Sequence, residues 1–137
     1  MLRRIESKIK SIEEILEILD SLKGECKQKF LTDKIYQGAL LHYLYLAADS
    51  SIALAEMVIK YKNLKRSNSY YESIDLLGES GIIPPNFAYE FAKIASFRNF
   101  LAHHYERVDY KEICEKTLSK LDDIGEYLGY ITQAMEL

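Results

Sequence analysis

An all-α fold is predicted by three features of this 137-residue sequence: apolar residues recur at spacings of three and four along most of it, no stretch alternates with period two over a strand's length, and only 2 Pro and 6 Gly punctuate it. The length is about that of one ordinary domain of roughly 100–200 residues. The expected architecture is therefore a single helical domain over residues 1–137, an up-and-down antiparallel bundle of four main helices with one short inserted helix.

The first helix is read from Leu2, Ile5, Ile9, Ile12, Leu16 and Leu19, which fall on one side of an α-helix; Ile15, Ile18 and Leu22 widen the stripe and Gly24 ends it. A polar stretch, ECKQKF, leads to Thr32, the expected N-cap of a longer second helix running from about Asp33 to about Lys62. Its buried side is expected to hold Ile35, Ala39, Tyr43, Leu46, Ala47, Ala53 and Met57, and the cations of KYKNLKR suit the negative end of the helix dipole as a solvated face. Ser69 followed by Glu72 reads as a capping box that opens the short inserted helix, which Gly81 can close in a left-handed conformation. Pro84 and Pro85 then start a helix carrying Phe87, Phe91, Ile94 and Leu101, expected to end near Ala102. Asp109 and Glu112 form another possible capping box, before the final stripe Ile113, Thr117, Leu121, Ile124, Leu128 and Ile131. Most of the 11 Tyr, among them Tyr36, Tyr43, Tyr45, Tyr127 and Tyr130, sit where rings pack and hydroxyls reach water.

Composition removes several function classes. A net charge of −3 excludes nucleic-acid binding through bulk positive charge, though not through a local basic site. The longest uncharged stretch, Ile35 to Ala48, is well short of the roughly 20 apolar residues of a spanning helix, so no membrane association is expected. The charged opening MLRRIESKIKSIEEI lacks a signal peptide's apolar centre, which predicts a cytoplasmic protein. Cys26 and Cys114 are too few and too far apart in sequence to suggest a disulfide framework or a zinc site, and both are expected to be reduced and structural.

Chemistry concentrates in Ser96-Phe-Arg-Asn-Phe-Leu-Ala-His-His-Tyr105, where Arg98, Asn99, His103, His104 and Tyr105 gather at an otherwise apolar helix end. In an unbroken helix Arg98 and His103 lie about 140° apart around the axis and diverge. A helix that stops near Ala102 lets His103 and Tyr105 fold back toward Arg98. Arginine beside histidine matches the needs of phosphodiester cleavage. A guanidinium holds a phosphate by forked, charge-assisted hydrogen bonds. An imidazole, with an ordinary pKa of about 6.5, can take a proton from a ribose 2′-hydroxyl or return one to the leaving oxygen. No carboxylate cluster or His-x-x-x-His spacing surrounds the segment, so neither metal nor cofactor is expected. The competing structural roles are an ion pair of Arg98 with Glu90 or Asp109, a helix C-terminal cation at His103 and a packing ring at Tyr105.

The string Arg98-Asn99-Phe100-Leu101-Ala102-His103-His104-Tyr105 resembles the R-N-x-x-x-H-x-Y signature of HEPN domains, and specifically of HepT-type toxins. The likeness extends to the opening amphipathic helix, the Phe30–Asp33 entry into the second helix, LLGESGII at 76–83 and Val108-Asp109. Ser96 stands where relatives often carry glycine. The resemblance implies a helical homodimer that cleaves RNA without a metal, with Arg98 and His103 catalytic and Asn99 supporting. It also implies that Tyr105 accepts AMP from an MNT-type nucleotidyltransferase antitoxin that silences the toxin. His104 falls at a variable position and takes no role. HEPN bundles also serve as non-catalytic substrate-binding or nucleotide-binding subunits paired with nucleotidyltransferases, and that is the alternative.

Overall fold

A computed structural model describes residues 1–137 as helices joined by short links, with no strand. In chain order they are α1 (Leu2–Lys23), a single turn α2 (Cys26–Lys29), α3 (Lys34–Tyr61), α4 (Tyr70–Glu79), α5 (Pro85–Phe91), α6 (Ile94–His104) and α7 (Leu121–Ala134). A 3₁₀ turn at Tyr105–Arg107, a π-helical segment at Glu112–Thr117 and a second 3₁₀ turn at Leu118–Lys120 link α6 to α7. No helix is long and apolar enough to cross a membrane.

The axis of the bundle is α3, which packs against α1, α4 and α6, while α7 lies on α1. Its 28 residues span about 42 Å, and neighbours on several sides bury residues around most of its circumference, including Tyr36, Leu40, Leu44, Ala48, Leu54 and Val58. The expected face is accordingly displaced: Ile35 is 85% exposed, Ala39, Tyr43, Leu46, Ala53 and Met57 are only half-buried, and Ala47 alone of that set is in the core. A helix that is apolar nearly all round has no single preferred face to read. Its N-cap is Asp33 rather than Thr32; the Asp33 carboxylate accepts from the Ile35 and Tyr36 amides at 3.0 and 3.1 Å.

The first helix buries Ile5, Ile9, Ile12, Ile15 and Leu19, as its stripe predicts. Ser69 Oγ accepts from the Glu72 amide at 3.1 Å, and Gly81, at φ 76°, ends the inserted helix. The segment begun by Pro85 is two helices instead of one. At Ala92 and Lys93 ψ falls to −20° and −16°, near 3₁₀ values, and the Lys93, Ala95 and Ser96 amides bond back three residues. This tighter turn separates α5 from α6. The last stripe is correct at Ile113, Ile124, Leu128 and Ile131, but the π-helical turn shifts its register. Leu118, five residues after Ile113, is buried where Thr117 was expected, as a five-residue hydrogen-bonding ring requires. Asp109 caps the Lys111 amide at 3.1 Å, not that of Glu112.

Two further expectations are corrected. Cys26 and Cys114 form a disulfide, with Cα atoms 5.6 Å apart, because folding brings α2 against the π-helical segment. Tyr127 is wholly buried, and its hydroxyl donates to the Ser51 carbonyl at 2.7 Å instead of reaching water. Burial pushes that phenol well above its ordinary pKa.

Within the LLGESGII segment, Gly78 is where α4 meets α5. A β-carbon there would lie 2.5 Å from Ala88 Cβ, far inside contact distance of an atom fixed to the backbone, and in ordinary contact with Pro85 Cα at 3.5 Å. Gly78→Ala is therefore expected to destabilise the fold by about 1–3 kcal/mol through overpacking, set against the ~1 kcal/mol that alanine gains in helix propensity. Urea unfolding checks this; a variant at least as stable as wild type would show that α4 and α5 separate freely.

Candidate active site

The motif helix α6 lies across α3, and Arg98 is the residue that joins them. Tyr45 and Asp49 are four apart on α3 and so share a face. Asp49 Oδ1 accepts from Arg98 Nε at 3.0 Å, and the Tyr45 hydroxyl accepts from Nη2 at 3.1 Å. Asn99 Oδ1, the next residue along α6, accepts from Nη1 at 3.1 Å. The Arg98 guanidinium carbon sits 4.9 Å from the Tyr70 ring centre and 5.4 Å from that of Tyr45, so aromatic faces flank the cation. The hydrogen bond to Asp49 raises the already high pKa of Arg98, outweighing its partial burial, and keeps the group charged.

Neither acid named from the sequence pairs with this arginine. Glu90 is bound to Lys93 at 2.8 Å, and Asp109 caps the turn before the π-helical segment. Tyr45, expected as a packing residue, and Asp49 and Tyr70, which carried no signal of their own, are the residues that sequence reasoning missed. Tyr45 and Asp49 are marked in the sequence only by their spacing of four, with Asp49 the first charge after the uncharged stretch Ile35 to Ala48; nothing in the sequence points to Tyr70.

His103 and Tyr105 are both exposed. His103 occupies the last turn of α6, its ring 6.5 Å from that of His104, and the Phe100 ring lies 6.0 Å from His104. Because α6 continues through His104 rather than stopping near Ala102, Arg98 and His103 stay about 140° apart around one helix and about 7.5 Å along it. The structure thus does not fold His103 back onto Arg98 within one protomer. Tyr105 opens the 3₁₀ turn, 58% exposed, with no packing that would make it a core residue. No group of three or more His, Cys, Asp or Glu stands close enough to hold a metal ion. A cleft of about 650 Å³, lined by Phe87, Phe91, Phe97, Lys116 and Lys120 among others, reaches α6 but not the motif's polar residues; none of Arg98, Asn99, His103 or Tyr105 lines it.

Comparison with known proteins bears on the fold and the family. An Archaeoglobus fulgidus protein named "Putative RNase" is 28% identical over 133 residues, covering 97% of this chain and 93% of its own. A tri-AMPylated Shewanella oneidensis HEPN toxin, solved in complex with MNT antitoxin, superposes with a TM-score of 0.83 at 20% identity, over 94% of this chain and 96% of that one. The Bacillus subtilis cytosolic protein YutE, of unknown function, superposes at 0.82 and 19% identity, over 98% and 90%. These likenesses show the same helical fold. The Ribonuclease HepT-like family description matches residues 8–131, nearly the full length and the whole of the Arg98–Tyr105 motif, and the chain belongs to that family.

Proposed function

We propose that the protein is the ribonuclease toxin of a HepT/MNT-type toxin–antitoxin module, an endoribonuclease that works without a metal. The observation that carries this reading is the fixed, charged Arg98 on the same helix as an exposed, unencumbered His103. Arg98 holds a phosphodiester of the RNA. A histidine imidazole takes the proton of the adjacent 2′-hydroxyl as its oxygen attacks phosphorus, and the bond to the 5′-oxygen breaks as that oxygen receives a proton. Cyclic phosphate and a free 5′-hydroxyl result. Since one protomer does not bring Arg98 and His103 together, the reading includes a homodimer in which α6 meets its symmetry mate and the two motifs share a cleft. Asn99 steadies Arg98 from within the motif.

The Tyr105 hydroxyl is the acceptor of AMP from a partner nucleotidyltransferase. Support comes from its exposure and from the tri-AMPylated state of the Shewanella relative. The phenolic oxygen attacks the α-phosphorus of ATP, pyrophosphate leaves, and the added phosphate brings negative charge beside Arg98, which repels RNA and blocks the cleft.

One experiment tests both halves. Wild type and Tyr105→Phe are incubated in EDTA with an RNA and with the same sequence in DNA, before and after treatment with an MNT-type nucleotidyltransferase, ATP and Mg²⁺. Both proteins are expected to cut the RNA and spare the DNA. After treatment the wild type gains AMP mass and stops cutting, while Tyr105→Phe stays unmodified and active. Intact RNA throughout would reject the nuclease and favour a binding subunit; equal modification of Tyr105→Phe would reject Tyr105 as the switch.

A further inference from the structure

Arginine has five N–H donors, and three of those on Arg98 are already taken: Nε by Asp49, one on Nη2 by Tyr45 and one on Nη1 by Asn99. What remains is one N–H on each terminal nitrogen, the number that a bidentate phosphate contact uses. The first two partners come from α3, a different helix, so the plane of the guanidinium is fixed by tertiary packing as well as by Asn99 of the motif's own helix. The Arg98 side chain is 17% exposed whereas that of Asp49 is 42% exposed, so the cation is buried deeper than the anion that orients it. A flexible arginine would have to be ordered at each turnover; this one is ordered beforehand.

We infer that Asp49 and Tyr45 are positioning residues of the active site, holding Arg98 so that its two free N–H groups point together at one phosphate. The inference rests on the ribonuclease reading for its catalytic consequence, but not for its geometry. Asp49 also costs something: its negative charge beside the cation weakens attraction of a polyanion, so ground-state binding is not what the pair improves. Removing the charge while keeping the shape, as Asp49→Asn does, should leave RNA binding unchanged or tighter and slow the chemical step. Loss of fold would weaken both, which separates positioning from a structural role.

The test combines a spectroscopic and a kinetic readout on the full chain. The Arg98 Nε–H resonance is assigned by its disappearance in Arg98→Lys, and its exchange with water is measured in wild type, Asp49→Asn, Asp49→Glu and Tyr45→Phe. In the wild type this proton should exchange slowly, and in Asp49→Asn at least ~10-fold faster, since a neutral amide is a weaker acceptor. Single-turnover cleavage by Asp49→Asn should fall by roughly 10–100-fold, the scale of a misplaced transition-state contact, with the Kd for an uncleavable 2′-deoxy oligonucleotide unchanged or lower. Asp49→Glu keeps the charge, has room at this half-exposed site, and should restore part of the rate. Tyr45→Phe keeps the ring against the guanidinium and should lose about 3–10-fold. Unaltered exchange in Asp49→Asn, or an unaltered cleavage rate with faster exchange, would overturn the inference. Should the wild type cut no RNA, the ribonuclease reading is what fails; the orienting role of Asp49 is then decided by the exchange rates alone.

Discussion

Alanine at Arg98 or at His103 is expected to lower RNA cleavage by roughly 10²–10⁴-fold, the usual scale for losing a transition-state donor or a general acid–base group. Both side chains lie outside the core cluster, so circular dichroism and the urea midpoint should change little for His103→Ala. Arg98→Ala also strips Asp49 of its partner, but at a site where the carboxylate is 42% exposed and rehydrates readily. The angular separation of the two residues on α6 adds a sharper expectation. If each catalytic centre joins Arg98 of one protomer to His103 of the other, a heterodimer of the two inactive variants has one centre lacking both groups and one intact. Random mixing makes half the dimers heterodimeric, so roughly a quarter of wild-type activity should return on mixing, at concentrations where the dimer exchanges. Recovery indistinguishable from zero would show that a centre takes both groups from one chain, or all four from the pair. Growth arrest on expression should follow the same order, with wild type toxic and both variants harmless; equal toxicity of all three would reject these residues as the catalytic pair.

How far the sequence made this site legible follows from the range over which each signal acts. Periodicity within one helix is local, and α1 and the final stripe were readable because each buries one face against the rest of the bundle. The motif was readable for the same reason, as its residues are consecutive on α6. The face of α3 was not, because surrounding helices bury it nearly all round and every register looks apolar. The break between α5 and α6 has no glycine or proline to announce it, and the π-helical turn at Glu112–Thr117 has no sequence signature, yet it displaces the buried position from Thr117 to Leu118. Asp49 pairs with Arg98 across 49 positions, and Cys26 with Cys114 across 88. Neither pairing leaves a trace in local spacing, since both are products of which helix lies beside which. The motif to which chemistry is assigned is thus consecutive and legible, whereas the contacts that hold Arg98 in place are not.

The disulfide sets the largest expected effect on stability. Cys26 lies at the buried start of α2 and Cys114 in the π-helical segment, so their bond closes an 88-residue loop that contains α3 through α6 and the entire motif. Cross-linking a loop of that length removes enough freedom from the unfolded chain to be worth about 4–5 kcal/mol in the chain-entropy treatment. This is a large fraction of the 5–15 kcal/mol that typically separates a domain from its unfolded state. Cys114→Ala is the better variant, because Cys114 is half-buried whereas removing the Cys26 side chain would also open a cavity in the core. Oxidised wild type should unfold about 2 M higher in urea than Cys114→Ala, for a slope of ~2 kcal/mol/M. Adding dithiothreitol should bring the wild type down to the variant's midpoint and leave the variant where it was. The loss should also be uneven in place. Without the tether, the 108–120 link has only Ile113 and Leu118 buried to hold it, so its amides should exchange faster than those of α1 and α3. An oxidised wild type that matches the variant, or a link that exchanges no faster after reduction, would mean that packing alone secures the joint between the motif and α7.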